Sequence, residues 1–514
     1  MELLDLPFEI IDQILDLTLP SGFESFVLSC KAIHARAGDQ IQRHAALKQQ
    51  WRCTIITNHY RGDLFRILYE VSRNLLAGQY VEVLNFRNFE QLASGSIDDF
   101  PLSEEIMTQI KKRILETEFF AIAGVSATEW WETIADEHKS SGPNEKSDED
   151  ATHAITSLLG QLPNLKILQL PSGWYDMWNE LTQPSGYDVD SKNSFIAVID
   201  AMINASNDNG HGRPLGKLEV ILPTKDVSHD DRAPFQCLEP FMRLKSLREL
   251  YGTNCVACDD GYTGYPFQWR FPETNSSLRR VELTRCCMDA DGISQLISHT
   301  PLLSVFRYSH ECKWHGCQFD WNAGEFVEAI AQHCGQSITD LAITCDTFYG
   351  GIVNGASSFR RFSKLLQLEI ELRILCGPPL GSGQQNGEIH YVVPEGQTPW
   401  SVGDLPCWAA MLPESIVETH INTDFTEKDE TALGALLIDF PEQRELRLSN
   451  LTQVLIRQYR GDGARSLAKR VGANFLVFDQ DGEHSASSPD VVARHMMPAW
   501  RPNFYRRVEQ LKRI

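Results

Sequence analysis

The stretch LRRVELTRC, Leu278 to Cys286, decides how most of this 514-residue chain is read. Leu278, Val281 and Leu283 fall in the spacing LxxLxL, and the cysteine closes it. Side chains alternate along a strand, so Val281 and Leu283 point into a core while Glu282 between them points the other way. Outward from this stretch the spacing recurs. LPNLKILQL, Leu162 to Leu170, repeats it, and Val81, Leu84 and Phe86 fit it earlier. Further first slots fall at Leu215, Leu247, Leu303, Ile338, Leu365, Ile416 and Gln443, at intervals of 25 to 51 residues. Several copies are partial: Gly252 fills a third slot, Thr419 a middle slot, and the last copy opens on a glutamine. Helical patterns over 103–120, 324–334 and 427–440 lie among the strands, with Trp130 and Trp131 on a further helix. A strand and one helix cannot bury an apolar face alone, so such units must stack.

This alternation resembles the leucine-rich repeat, whose period is about 20 to 29 residues. The resemblance implies an irregular α/β solenoid over 81–500. The same leucine spacing also fits a non-solenoid α/β domain. Stretches 166–214 and 371–415 are either insertions or degenerate repeats. GPPLGSGQQNG, 377–387, has the composition of a surface loop, and SSGPNEKSDED, 140–150, has almost nothing to bury. In this register the outward residues form one row: Asn85, Gln169, Glu219, Tyr251, Glu282, Arg307, Ala342, Glu369, His420 and Arg447. A row of mixed charge around an aromatic anchor suits a protein target better than a phosphate-rich one.

The N-terminal stretch, Leu6 to Trp51, reads as short helices. Pro7 is tolerated in a first helical turn. Ile10, Ile11, Ile14 and Leu15 recur at helical spacing, Pro20 closes the segment, and Ser21 with Glu24 and Asp39 with Gln42 have the form of caps. Four amphipathic helices in so few residues scarcely close a core, so part of their apolar surface is expected to meet another protein. On Leu6, Pro7, Glu9, Ile10, Ile14, Leu15, Phe26, Leu28, Cys30 and Lys31 the stretch resembles an F-box, although Ile33 stands where the family often has an aromatic. The resemblance implies that these residues bind a Skp-type adaptor and, through it, a cullin. Over nearly its whole length the chain is similar to leucine-rich-repeat F-box proteins in the irregular form of filamentous fungi. The expected organisation is a small all-α F-box at 1–51, a helical connector at 52–80, the repeats at 81–500 and a basic tail at 501–514. The tail, with Phe504, Val508 and Leu511 on one face, is expected to cap the open end of the solenoid.

Other chemistry finds little support in the sequence. A net charge of -22 argues against a nucleic-acid partner, which requires cations against phosphates. No apolar run reaches membrane-spanning length. Thirteen cysteines without a signal-like N-terminus imply reduced thiols in a cytoplasmic or nuclear setting. Cys255 and Cys258 form a lone CxxC, and HECKWHGC, from His310 to Cys317, spaces its histidines five apart, off a common helix face. No metal, cofactor or catalytic residue is expected. GHGRPLGKL departs from a phosphate loop at His211 and at Leu218, beside Lys217. The function that the F-box and repeat resemblance implies is the non-catalytic substrate receptor of an SCF-type ubiquitin ligase, holding a protein target of unknown identity. The alternative is a repeat scaffold acting without a ligase.

Overall fold

The structure, a computed structural model, describes residues 6–57, 61–87, 103–139, 151–171, 189–209, 212–223, 232–259, 264–313, 320–346, 351–376, 407–423, 427–458, 474–477 and 498–513, with isolated residues between them. The fold is mixed α/β, with predominantly parallel strands. The chain forms two compact units: residues 1–224 with 244–246 and 510–514, and residues 225–243 with 247–509.

In the first unit, helices α1 (Phe8–Thr18), α2 (Phe23–Val27), α3 (Lys31–Arg36) and α4 (Gly38–Trp51) pack through Ile11, Leu15, Leu19, Phe23, Val27 and Ile33, all buried. Neither Ser21 nor Asp39 caps a helix: the residues before α2 and α4 are Gly22 and Ala37, without a side-chain bond. Asp12 instead holds Arg36 through two hydrogen bonds, of 2.6 and 2.9 Å, tying α1 to α3. The stretch expected to be a helical connector contains a strand, β1 (Cys53–Thr57). It pairs in parallel with β2 (Val83–Arg87), which pairs with β3 (Ile167–Gln169), and β3 with β4 (Val220–Leu222). The register Thr54, Leu84, Leu168, Ile221 shows that Trp51, Thr54 and Ile56 form one more degenerate copy of LxxLxL. It also corrects the copy placed at Leu215. Leu168 faces Ile221, so that copy starts at Leu218, and Glu219 lies before the strand, exposed and outside the row. Behind the strands, Trp130 stacks on Phe195 with centroids 6.3 Å apart and donates its indole N–H to Ser157.

The second unit contains β5 (Ala233–Pro234), β6 (Glu249–Thr253), β7 (Cys255–Ala257), β8 (Arg280–Met288), β9 (Val305–His310), β10 (Asp320–Asn322), β11 (Asp340–Cys345), β12 (Gly351–Asn354), β13 (Gln367–Glu371), β14 (Glu418–Thr423), β15 (Gln453–Gln458) and β16 (Asn474–Val477). Strands β6, β8, β9, β11, β13, β14, β15 and β16 lie side by side in that order, so each pairs with the next main strand of the chain. Strand β5 pairs with β7, β7 with β8, and β10 with β12. Gly252 occupies its slot because a Cβ there would sit 2.7 Å from Leu283. Asn322 caps the helix Ala323–Cys334, its side chain accepting from the Glu325 N–H at 3.0 Å. The copy placed at Gln443 is also corrected: those residues form the helix Phe440–Arg447, and Arg447 donates to the Ala409 carbonyl. The strand in that position is β15, with Leu451, Val454 and Ile456 in the three slots.

The basic tail forms a helix, Arg501–Leu511. It does not cap an end of the second unit's strands. Trp500 and Phe504 are buried, and Phe504 meets Tyr251 of β6 edge-on at 5.8 Å, while the Trp500 indole donates to Thr344 of β11 at 3.4 Å. The helix therefore lies across the face of the sheet, which is covered on both sides as parallel sheets usually are.

Candidate functional site

Helix α1 carries two apolar stripes. Ile11 and Leu15 point inward and are closed to solvent, so Leu15 belongs to the core and cannot be an adaptor contact as the motif implied. Pro7, Ile10, Ile14 and Leu17, at steps of three, four and three, fall on another face by helical geometry. Along it Ile10 is 39% and Leu17 84% exposed, Pro7 is exposed and Ile14 half-buried. Phe8, 64% exposed, lies under the Arg36 guanidinium at 4.3 Å, and Leu28 just beyond α2 is 75% exposed. Of the other residues singled out, Glu9 and Lys31 are exposed, and Leu6, Phe26 and Cys30 half-buried. Phe8 and Leu17 were missed because motif matching weighs identity. The helical period, extended one more turn, would have found Leu17.

The row of outward residues is real in its register and different in its exposure. Tyr251, Glu282, Arg307, Ala342, Glu369 and His420 stand side by side across β6 to β14, and Leu455 continues the row. Asn85 and Gln169 are paired likewise in the first unit. Yet Tyr251, Glu282, Ala342 and Glu369 are buried. These four are closed off by the C-terminal segment and by ion pairs within the row, while Arg307, His420 and Leu455 are half-buried. Glu369 accepts from the Ala499 and Trp500 N–H groups at 2.6 and 3.1 Å, from Arg457 at 3.1 Å and from Asn422 at 2.8 Å. Arg501 pairs with Asp346 and donates to Ser309 at 2.8 Å, and Arg507 reaches Glu249 at 2.8 Å. Burial pushes the Glu282 carboxyl up, opposed by Arg307 and Arg280 beside it. What stays open beside the helix is a cleft of about 190 Å³ lined by Arg307, Asp340, Glu418, His420 and Asn503.

Cys255, Cys258, Cys286, His310 and Cys312 are all buried. Asn254 and Arg285 both hold a left-handed φ of 55°, Asn254 just after β6 and Arg285 within β8, where the pairing with β9 shifts register. Cys255 and Cys286 follow, fully buried, and donate to the carbonyls of Thr253 at 3.6 Å and Thr284 at 3.2 Å. Lys313, closed to solvent, donates to Asn254 Oδ1 at 2.9 Å, the Arg285 carbonyl at 2.7 Å and Glu311 at 3.3 Å. His310 stacks on Trp321 at 4.0 Å. His315 and Cys317 lie outside the described residues. Among the described residues no three His, Cys, Asp or Glu side chains are grouped as metal ligands, and no described helix is long and apolar enough to cross a membrane.

No protein-family model matches the chain, and no curated protein matches it. The surfaces themselves must carry the functional reading.

Proposed function

We propose that the chain is a substrate receptor of an SCF-type ubiquitin ligase, in which α1 to α4 form an F-box that binds a Skp-type adaptor and the stacked strand-helix units, a leucine-rich-repeat-like platform, hold a protein target. The observation that supports it most is the outer stripe of α1. Fully covering an apolar side chain of that size is worth about 1.5 to 3 kcal/mol, and a few such anchors dominate an interface. Ile10, Leu17 and Leu28 are anchors of this kind, left open by the chain's own fold. The role is non-catalytic. A receptor accelerates transfer by holding its target near the charged partner, turning an encounter between molecules into one within a complex.

Target binding is assigned to the cleft beside the C-terminal helix, because Arg307 and His420 are the row members that stay half-open there while Tyr251, Glu282, Ala342 and Glu369 are covered. Arg307, Asp340, Glu418 and His420 line that cleft, so a peptide bearing both charge signs is the fitting target. Pull-down of a purified Skp-type adaptor by the full chain tests the reading. The expected outcome is capture by the wild type and its loss in Ile10→Asp with Leu17→Asp, at unchanged circular dichroism. Undiminished capture by that variant rejects the F-box assignment and leaves the scaffold reading.

A further inference from the structure

The first unit holds an open-mouthed cavity of about 280 Å³ whose wall is unusually basic for a chain of net charge -22. Four cationic side chains line it, Lys48, Arg52, Lys166 and Lys217, against two carboxylates, Glu24 and Glu82. The carboxylates act as clamps. Glu82 accepts from Arg52 at 2.8 Å through one oxygen and from Lys166 at 2.9 Å through the other. Glu24 Oε1 accepts from Lys48 at 2.6 Å, and lies 3.2 Å from His44 Nε2. His44 is buried against Phe23 and Tyr80, its Nδ1 2.8 Å from the tyrosine hydroxyl, so this wall is rigid. Lys217 has a different anchor: its ammonium donates to Asn164 Oδ1 at 2.6 Å, and Asn164 is itself fixed by donating to the Gln79 carbonyl at 2.6 Å. Among the described residues no carboxylate pairs with Lys217.

Two carboxylates therefore position three cations, a fourth is held by a neutral amide, and the wall keeps an excess of positive charge. Glu82 is buried enough to raise its carboxyl, but the hydrogen bonds from Arg52 and Lys166 outweigh this and hold it below its ordinary value. Glu82 is therefore a full negative charge at neutral pH, and four cations still outnumber the two carboxylates. The side chains of Lys48, Lys166 and Arg52 are 42%, 43% and 39% exposed, so a ligand can reach them. Like charges gathered in a concavity focus potential and favour a bound anion. We infer that this cavity is a binding site for a small polyanion of the phosphate class, with Lys166, Lys217, Lys48 and Arg52 as its ligands. Ammonium groups serve phosphate as point charges, and the guanidinium adds directed N–H donors. Lys217 is the lysine of GHGRPLGKL, a sequence that is no phosphate loop yet delivers its lysine to this wall.

Titration calorimetry of the full chain with inorganic tripolyphosphate tests the assignment, with citrate as a carboxylate comparison. The expected result is saturable binding at one site, tighter for tripolyphosphate, with a raised thermal midpoint. Lys166→Ala with Lys217→Ala should weaken binding by about tenfold or more, since two charge-assisted contacts are lost; Arg52 still pairs Glu82, so folding by circular dichroism should be kept. Lys217→Arg, retaining the charge, should bind within a few-fold of wild type. Absence of saturable heat, or equal affinity in the double variant, overturns the site, and tighter binding of citrate overturns the phosphate class.

Discussion

His310 sits at zero exposure between Tyr308 and Trp321, and burial, with Lys313 nearby, lowers its pKa to about 3. The sign of the consequence is fixed: below the ordinary value near 6.5 the unfolded chain takes up a proton that the folded chain refuses. Stability present at neutral pH is thus lost as the pH falls from that value toward 3. Between pH 7.5 and 5.5 this one residue should remove about 1.4 kcal/mol. Urea titrations of the wild type and His310→Phe should show that slope only in the former. On α1, Leu15→Ala should cost about 2 to 5 kcal/mol and Leu17→Ala only a few tenths, because one leaves a cavity and the other trims a side chain that stands in water. Urea midpoints of the two variants check this contrast. Such inward and outward roles were only partly legible in the sequence: helical period separates two apolar stripes without saying which one the rest of the chain covers.

Elements were legible where one spacing had one meaning. The first slots Leu247, Leu278, Leu303, Ile338, Leu365 and Ile416 all lead into strands, each fully buried. At Gln443 the same three-residue step was one helical turn, and the strand lay a few residues later. At 215–222 a denser apolar run offered two registers, and only pairing with β3 chose between them. No local pattern could place the helix Arg501–Leu511 on β6, β11 and β13, since that contact joins residues far apart in the chain. Glu369 is its hub. Glu369→Leu would strip partners from the buried Arg457 and from two backbone N–H groups, which should cost about 3 to 5 kcal/mol. Amide exchange should then show residues 499–509 losing protection ahead of β13. Full protection there in the variant would mean that the apolar contacts of Trp500 and Phe504 hold the helix unaided.

Over the whole molecule the acidic excess is a repulsive background, and a net charge of -22 opposes compactness. Moderate added salt should therefore raise the thermal midpoint, as read by scanning calorimetry, since screening shortens the range of that repulsion to about 10 Å. Composition excluded a phosphate-backbone partner by this sum, but it could not reveal that four cations gather at one cavity. The covered sheet face also bears on how the chain is made. The main strands of the second unit, β6, β8, β9, β11, β13, β14, β15 and β16, pair in chain order, so each can join its predecessor in that series as it leaves the ribosome. The C-terminal segment that covers Tyr251 and Glu369 is translated after every one of those strands. Until then their face waits in water, and at a translation rate of about 5 to 20 residues per second that wait lasts for tens of seconds at β6. An apolar face would invite aggregation during that interval; glutamate and arginine do not.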